Sequence, residues 1–180
     1  AGAVVQSVAE ALAGLLMIDV VQPGFPVVLG PWPFVSDLRS GSFTGGSGEE
    51  AVVSAGAAQM INFYGLPSSV GAGMTDAKSP DCQAGYEKAL AVALAAHAGC
   101  NNISESAGML GSLMALSLEA MVIDNDMLGA VLRTVRGIEV NDETLSLAVI
   151  EKTVHGEGHY LRAPQTLELM RSEYEYPSLA

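Results

Sequence analysis

One feature of this chain narrows its fold more than any other. A short apolar run bounded by Gly and Pro, a polar Gly-rich loop and an Ala-rich helical pattern recur in that order along the sequence. GFPVVLGPW, LPSSVGAGM and CNNISESAGMLG carry the apolar runs, and such runs between turn residues read as buried strands. Strands are predicted at about 26–31, 68–74 and 101–106. Helical spacing is predicted over Val5–Met17, Glu49–Phe63 and Asp81–His97, then from a Ser117 cap to Arg136 with Gly137 as its stop. Two shorter helices follow, from Asp142 or Glu143 to Val154 and from Pro164 to about Tyr174. Strands alternating with helices imply βαβ units, a parallel sheet and the α/β class. Three or four strands cannot close a barrel, so a barrel would need further strands upstream. A doubly wound sheet is the structural alternative.

The loops after the strands are longer and richer in Gly and polar residues than those before them, and in α/β folds such loops carry the chemistry. Composition limits that chemistry. With 8 Lys and Arg against 20 Asp and Glu, the net charge of -12 repels phosphate backbones, which argues against nucleic acid. Cys82 and Cys100 lie far apart with no CxxC pair, as expected of small core thiols in a reducing, cytoplasmic setting. No apolar run reaches membrane-span length on this reading, because Gln6, Glu10 and Asp19 interrupt the first segment. That segment also lacks a basic start and a cleavage site, so no signal peptide is expected. The sequence starts without Met inside a helical pattern, and a piece of a longer chain is expected.

Candidate site residues cluster after the strands. The first loop brings Trp32 and Phe34, then Gly45, Gly46 and Gly48 before a helix. A Gly-rich loop there can hold an anion. No Walker lysine follows and the spacing is not GxGxxG, so nucleotide binding is rejected in favour of glycines that shape the loop. The second loop offers Asp76, Lys78, Asp81, Gln83, Tyr86 and Glu87, with Gln83 and Glu87 on one helix face. Asp76 follows a strand end, where barrel catalytic groups sit, although a salt-bridged loop with Asp81 as a helix cap would look the same. Glu105 lies in an otherwise apolar run and needs either a polar cavity or solvent. His97 ends a helix and is expected on its terminal carbonyls. His155 and His159 are four apart, but Gly156 and Gly158 oppose a helical metal site and no third ligand is evident, so no metal is expected.

Two long segments, YGLPSSVGAGMTDAKSPDCQAGYEKAL and HGEGHYLRAPQTLELMRSEYEYPSL, resemble the trimethylamine methyltransferase family. SLEAMVIDNDMLG and the loop from Trp32 to Glu50 support the resemblance, which spans nearly the whole chain. It implies a TIM (β/α)8 barrel, of which residues 1–180 would be the C-terminal portion with upstream strands absent. It also implies methyl transfer from a quaternary or tertiary methylated amine, such as glycine betaine or trimethylamine, to the Co(I) of cobalamin carried by a corrinoid protein partner. Trimethylamine members carry pyrrolysine near the GAGMTDAK strand end, where Met74 stands here, which implies the non-pyrrolysine, quaternary-amine type. A quaternary ammonium expels a neutral amine, so the protein would mainly position it in a cation-friendly cavity.

On that reading the residues of interest are Asp76 and Glu105 as catalytic carboxylates, with Trp32, Phe34, Lys78, Tyr86 and Tyr160 around the substrate. A substrate carboxylate would want Arg39, Lys78 or loop N–H groups. A homo-oligomer is compatible with the sequence; a membrane partner is not expected. Two other classes stay open here. One is a non-catalytic fragment or docking domain for a corrinoid protein, and the other is an unrelated barrel lyase or aldolase in which Lys78 forms a Schiff base.

Overall fold

The computed structural model describes residues 1–156 and 158–178. It begins with α1 (Gly2–Val21), continues with α2 (Gly48–Phe63), β1 (Ser69–Gly71), α3 (Cys82–His97) and β2 (Asn102–Ser104), and adds β3 (Met109–Leu110) and β4 (Ala115–Leu116). It ends with α4 (Leu118–Arg136), α5 (Leu147–Val154) and α6 (Pro164–Leu169). β1 and β2 pair in parallel with Val70 opposite Ile103, and Leu29 forms a parallel bridge to Ser68. The three expected strand segments therefore lie side by side in the order Leu29, β1, β2, each pair connected through a helix. The regular strands are shorter than predicted.

Local chemistry explains the helix starts. Ser47 caps α2 by accepting from Glu50 N, Asp81 caps α3 by accepting from Ala84 N, and Ser117 caps α4 by accepting from Ala120 N. Each satisfies an N–H that the helix leaves unpaired, worth about 1 kcal/mol. α5 begins later than predicted. The Asn141 side chain accepts from Glu143 N and Thr144 N in a local turn, and Ser146 at φ 55 breaks into the helix only afterwards. α6 stops at Leu169 rather than near Tyr174. The hairpin of β3 and β4, in which Leu110 faces Ala115, was not signalled by any hydrophobic alternation.

The core is built from small side chains. Ala51, Ala57 and Ala58 of α2 and Ala91 and Ala95 of α3 pack with Val70 and Ala72 of the central strand segment. Alanine lets the two helices come close to the sheet, where a larger residue would hold them apart. Val8, Leu29 and Ile61 form a second cluster that joins α1 to α2.

α1 corrects one expectation. At 20 residues and a mean hydropathy of 1.8 it is long and apolar enough to cross a membrane, despite Glu10 and Asp19. One side packs through Val4, Val8, Leu12 and Leu15, while Leu16, Met17, Val20 and Val21 are exposed.

α3 and α4 are joined by a buried ion pair. Lys88 Nζ lies 2.5 Å from Asp124 Oδ2, with the two side chains 0% and 6% exposed. The same Asp124 oxygen accepts from Gly108 N at 2.7 Å. Removing one partner of such a pair strands the other charge and costs about 3–5 kcal/mol. Lys88→Met should therefore lower unfolding stability by about that amount in the protein encoded by the gene, measured by denaturant titration. Lys88→Met combined with Asp124→Asn should recover a large part of the loss, because Asn keeps an acceptor for Gly108 and carries no charge. A double variant as unstable as the single one would count against the pair as the cause.

Candidate functional site

Three loops meet where the parallel segments end. One follows Leu29, one follows β1, and one is the β3–β4 hairpin after β2. Asp37, Ser42, Phe43, Thr44, Asp76, Lys78, Ser112 and Met114 are among the residues lining an open cleft of about 570 Å³ between them.

Glu87 of α3 organises this junction. It is buried, and its Oε2 accepts from Thr75 Oγ1 at 2.5 Å and from Asp76 N at 2.9 Å. Gln83 Nε2 donates to its other oxygen at 2.8 Å, as the shared helix face predicted. The glycines of the first loop close over it. A Cβ on Gly46 would lie 2.5 Å from Glu87 Cδ and 2.9 Å from Asp76 N, and one on Gly45 would lie 2.8 Å from Met74 Cβ. Side chains are thus excluded at both positions, and the loop presents bare N–H groups. Gly45 N donates to Asp76 Oδ1 at 2.9 Å and Gly46 N at 3.4 Å. The Gly-rich loop does hold an anion, and that anion is Asp76. Ser112 Oγ donates to the same oxygen. Asp76 Oδ2 accepts no hydrogen bond among the described residues, and it is not sealed from solvent.

The aromatic residues form a row that leads to the cleft. Trp32 lies against Gly71 of β1 and meets Phe34 edge-on, with ring centroids 6.1 Å apart. Phe34 in turn meets Phe43, with centroids 4.9 Å apart. Phe43 is the member that lines the cleft beside Asp76. Nothing in the sequence pattern singled it out, since it sits in a polar loop with no periodicity. Lys78 also lines the cleft; it is exposed, and its Nζ donates to Asp76 O at 2.5 Å.

The other expected residues lie elsewhere. Glu105 follows β2 in a left-handed conformation at φ 59, is half-buried, and has no hydrogen-bond partner among the described residues. It is not among the residues lining the Asp76 cleft. Tyr86 is exposed on α3, and Tyr160 lies in a separate groove with Ile150, Leu169 and Tyr174. Arg39 is committed to Asp37, whose carboxyl its guanidinium and backbone N–H hold down at about 2. His97 bonds Thr134 Oγ1 of α4 at 3.0 Å rather than its own helix end. Met74, where pyrrolysine was expected in relatives, is buried under Gly45.

A second buried carboxyl supports the aromatic loop. Glu50 Oε2 accepts from Val35 N at 3.0 Å and Oε1 from Ser54 Oγ at 3.2 Å. Burial pushes its pKa up from 4.5 to about 7, against the opposing pull of these two hydrogen bonds.

A sequence profile described as trimethylamine methyltransferase (MTTB) matches residues 1–180. A trimethylamine methyltransferase of Methanosarcina thermophila is 41% identical over 178 residues, covering 99% of this chain and 36% of its own length. A glycine betaine methyltransferase of Desulfitobacterium hafniense (strain Y51) is 37% identical over 172 residues, covering 96% of this chain and 36% of its own length. A trimethylamine methyltransferase of Methanosarcina barkeri is 40% identical over 178 residues, covering 99% and 35% respectively. The chain spans about a third of the length of these relatives.

Two predictions follow from the geometry. Gly46→Ala should displace the loop from Glu87 and Asp76 and lower the unfolding midpoint, while Gly41→Ala, whose Cβ would meet nothing within 4 Å but whose φ is 73, should cost only the backbone strain. Equal losses at the two glycines would exclude close packing as the reason for Gly46. The second concerns pH. The Glu50 pKa is about 7 in the fold and 4.5 as its ordinary value, so folding favours the protonated form. Its contribution to stability is fully present below about pH 4.5 and is lost as pH rises through about 7. The stability difference between wild type and Glu50→Gln should therefore change across that window in favour of the Gln variant at high pH, and a pH-independent difference would refute it.

Proposed function

Because the chain belongs to the trimethylamine methyltransferase family, we propose that it is part of an enzyme that passes a methyl group from a methylated amine to a corrinoid protein, and that Asp76 with Phe43 holds the amine. The reading rests on one observation above all. Asp76 has one carboxylate oxygen loaded with donors and the other unpaired, in a cleft that also presents an aromatic ring. A methylated ammonium seeks negative charge and π faces. A quaternary one has no N–H to offer, so an unpaired carboxylate oxygen recognises it through charge alone.

The fold we propose is the C-terminal portion of a TIM barrel, supported by the parallel order of Leu29, β1 and β2 and by loops that meet beyond the strand ends. The remaining strands would come from chain beyond these residues. The corrinoid would reside on the partner and supply Co(I), the nucleophile that accepts the methyl group. The residues here suit that role, since the cleft is open on one side and its apolar members Phe43 and Met114 can border a methyl group. Asp76 would orient the cation, and Phe43 would shield part of it from water. Lys78 would serve a substrate carboxylate, as in a betaine. The work would be cytoplasmic. A homo-oligomer belongs to the same reading, as does a second carboxylate at Glu105, which lies outside the Asp76 cleft.

A Schiff-base role for Lys78 has less support, because Lys78 is exposed with its ammonium bonded to a backbone carbonyl, rather than desolvated in an apolar pocket.

Asp76→Asn in the protein encoded by the gene should reduce methylation of cob(I)alamin from glycine betaine or trimethylamine by about tenfold or more, which corresponds to about 1.4 kcal/mol. The unfolding midpoint should fall little, because Asn keeps an acceptor for the loop amides. Unchanged kinetics would remove Asp76 from the amine site.

A further inference from the structure

Resting on the reading that Asp76 faces the amine, we propose that Ser112 is its positioning residue, presented by the β3–β4 hairpin as a strap across the site. Ser112 lines the same cleft as Asp76 and touches it from the hairpin. Its hydroxyl donates to Asp76 Oδ1, the oxygen already taken by Gly45 N and Gly46 N. Three donors on one oxygen fix the rotation of the carboxylate. The other oxygen is thereby held in one place without a partner of its own.

The backbone around Ser112 makes this more than an incidental contact. Gly111, Ser112 and Leu113 all adopt left-handed conformations, at φ 55, 54 and 72. Glycine does so freely; Ser and Leu do not, and Leu at positive φ is an outlier. Such strain persists only where surrounding contacts over-determine it. Besides the bond from Met114 N to Gly111 O within the hairpin, the backbone contacts run to the Asp76 turn. Ser112 N donates to Thr75 O at 2.7 Å, and Gly111 N donates to Ala77 O at 2.8 Å. The hairpin therefore brackets Asp76 from both flanking residues while its hydroxyl reaches the carboxylate. The base of the hairpin is anchored as well. Gly108 N bonds the buried Asp124, and Ser117 N bonds Gly108 O at 2.9 Å. A hairpin that merely reversed the chain would be easier to build with Gly or Asn at position 112. The hydroxyl is the feature that chain reversal does not require.

The test is a double-mutant cycle in the protein encoded by the gene, with glycine betaine and trimethylamine as methyl donors and cob(I)alamin as acceptor. Ser112→Ala should raise KM for the active donor, on the order of tenfold for loss of one charge-assisted hydrogen bond, and should change kcat less. Ser112→Gly removes the hydroxyl while relieving the left-handed strain, so it should show the same KM defect with an unfolding midpoint equal to or above that of Ser112→Ala. It also keeps the test valid if the Ala variant folds badly. In an Asp76→Asn background, Ser112→Ala should add little further loss, because its effect passes through the carboxylate. A full additional loss in that background would overturn the proposal, and so would wild-type KM in both Ser112 variants while Asp76→Asn is impaired. If Asp76→Asn itself is silent, the Asp76 reading falls and the proposal falls with it.

Discussion

Two consecutive charged residues on α3, Glu87 and Lys88, are both buried, and most of the site depends on how each finds its partners. A buried carboxylate without donors, or a buried ammonium without an acceptor, would be strongly destabilising. Glu87 takes its donors from Thr75, Asp76 and Gln83, so the chain leaving β1 must turn back onto α3 directly after Met74. Lys88 takes its acceptor from Asp124, so α4 must pack against α3 in one register. The same Asp124 oxygen fixes Gly108 and with it the start of the hairpin. One helical turn thus sets both walls of the cleft. The first-loop glycines complete it, since only bare backbone fits against Glu87 and Asp76.

The scaffold was legible because it follows periodicity and capping. Ser47, Asp81 and Ser117 precede helical patterns and cap them, and three apolar runs lie side by side. The buried charges were legible in principle. Lys88 falls on the stripe of Ala84, Ala91 and Ala95, Glu50 on that of Ser54, Ala57 and Ile61, and Asp124 on that of Ala120 and Val131. A charge at helical spacing within an apolar stripe must find a partner inside, although the stripe does not say which. Phe43 and Ser112 carried no comparable signal. Their positions depend on a hairpin strained out of ordinary backbone regions and on a row of aromatic contacts, and neither has a period. Tyr86 and Tyr160 show the converse, for they were picked out by residue type and lie outside the Asp76 cleft, one exposed on α3 and one in a separate groove.

The Gly-rich loop also shows why residue type alone misleads. Its spacing fits no nucleotide motif, and its amides nonetheless coordinate an anion, supplied by the protein itself. An internal carboxylate in that position inverts the usual use of such a loop. Amide donors that would otherwise attract a phosphate are consumed, and the outward-facing charge becomes negative. In a chain of net charge -12 this adds to a field that already favours cations.

A quaternary ammonium poses a particular recognition problem, because it has no N–H and charge attracts it without orienting it. Transfer of one methyl group requires that the C–N bond point in a defined direction. A freely rotating carboxylate would bind the cation in many poses. Asp76 is denied that freedom by three donors on a single oxygen, and Phe43 is held by edge contacts within the row that starts at Trp32. On the proposed reading, rigidity supplied around the carboxylate and the ring would replace the directional hydrogen bonds that a quaternary ligand cannot make. The deep polar network of Glu87, Thr75, Gly45, Gly46 and Ser112 would then be more than support for a simple charge site, because it would turn a non-directional attraction into a defined orientation.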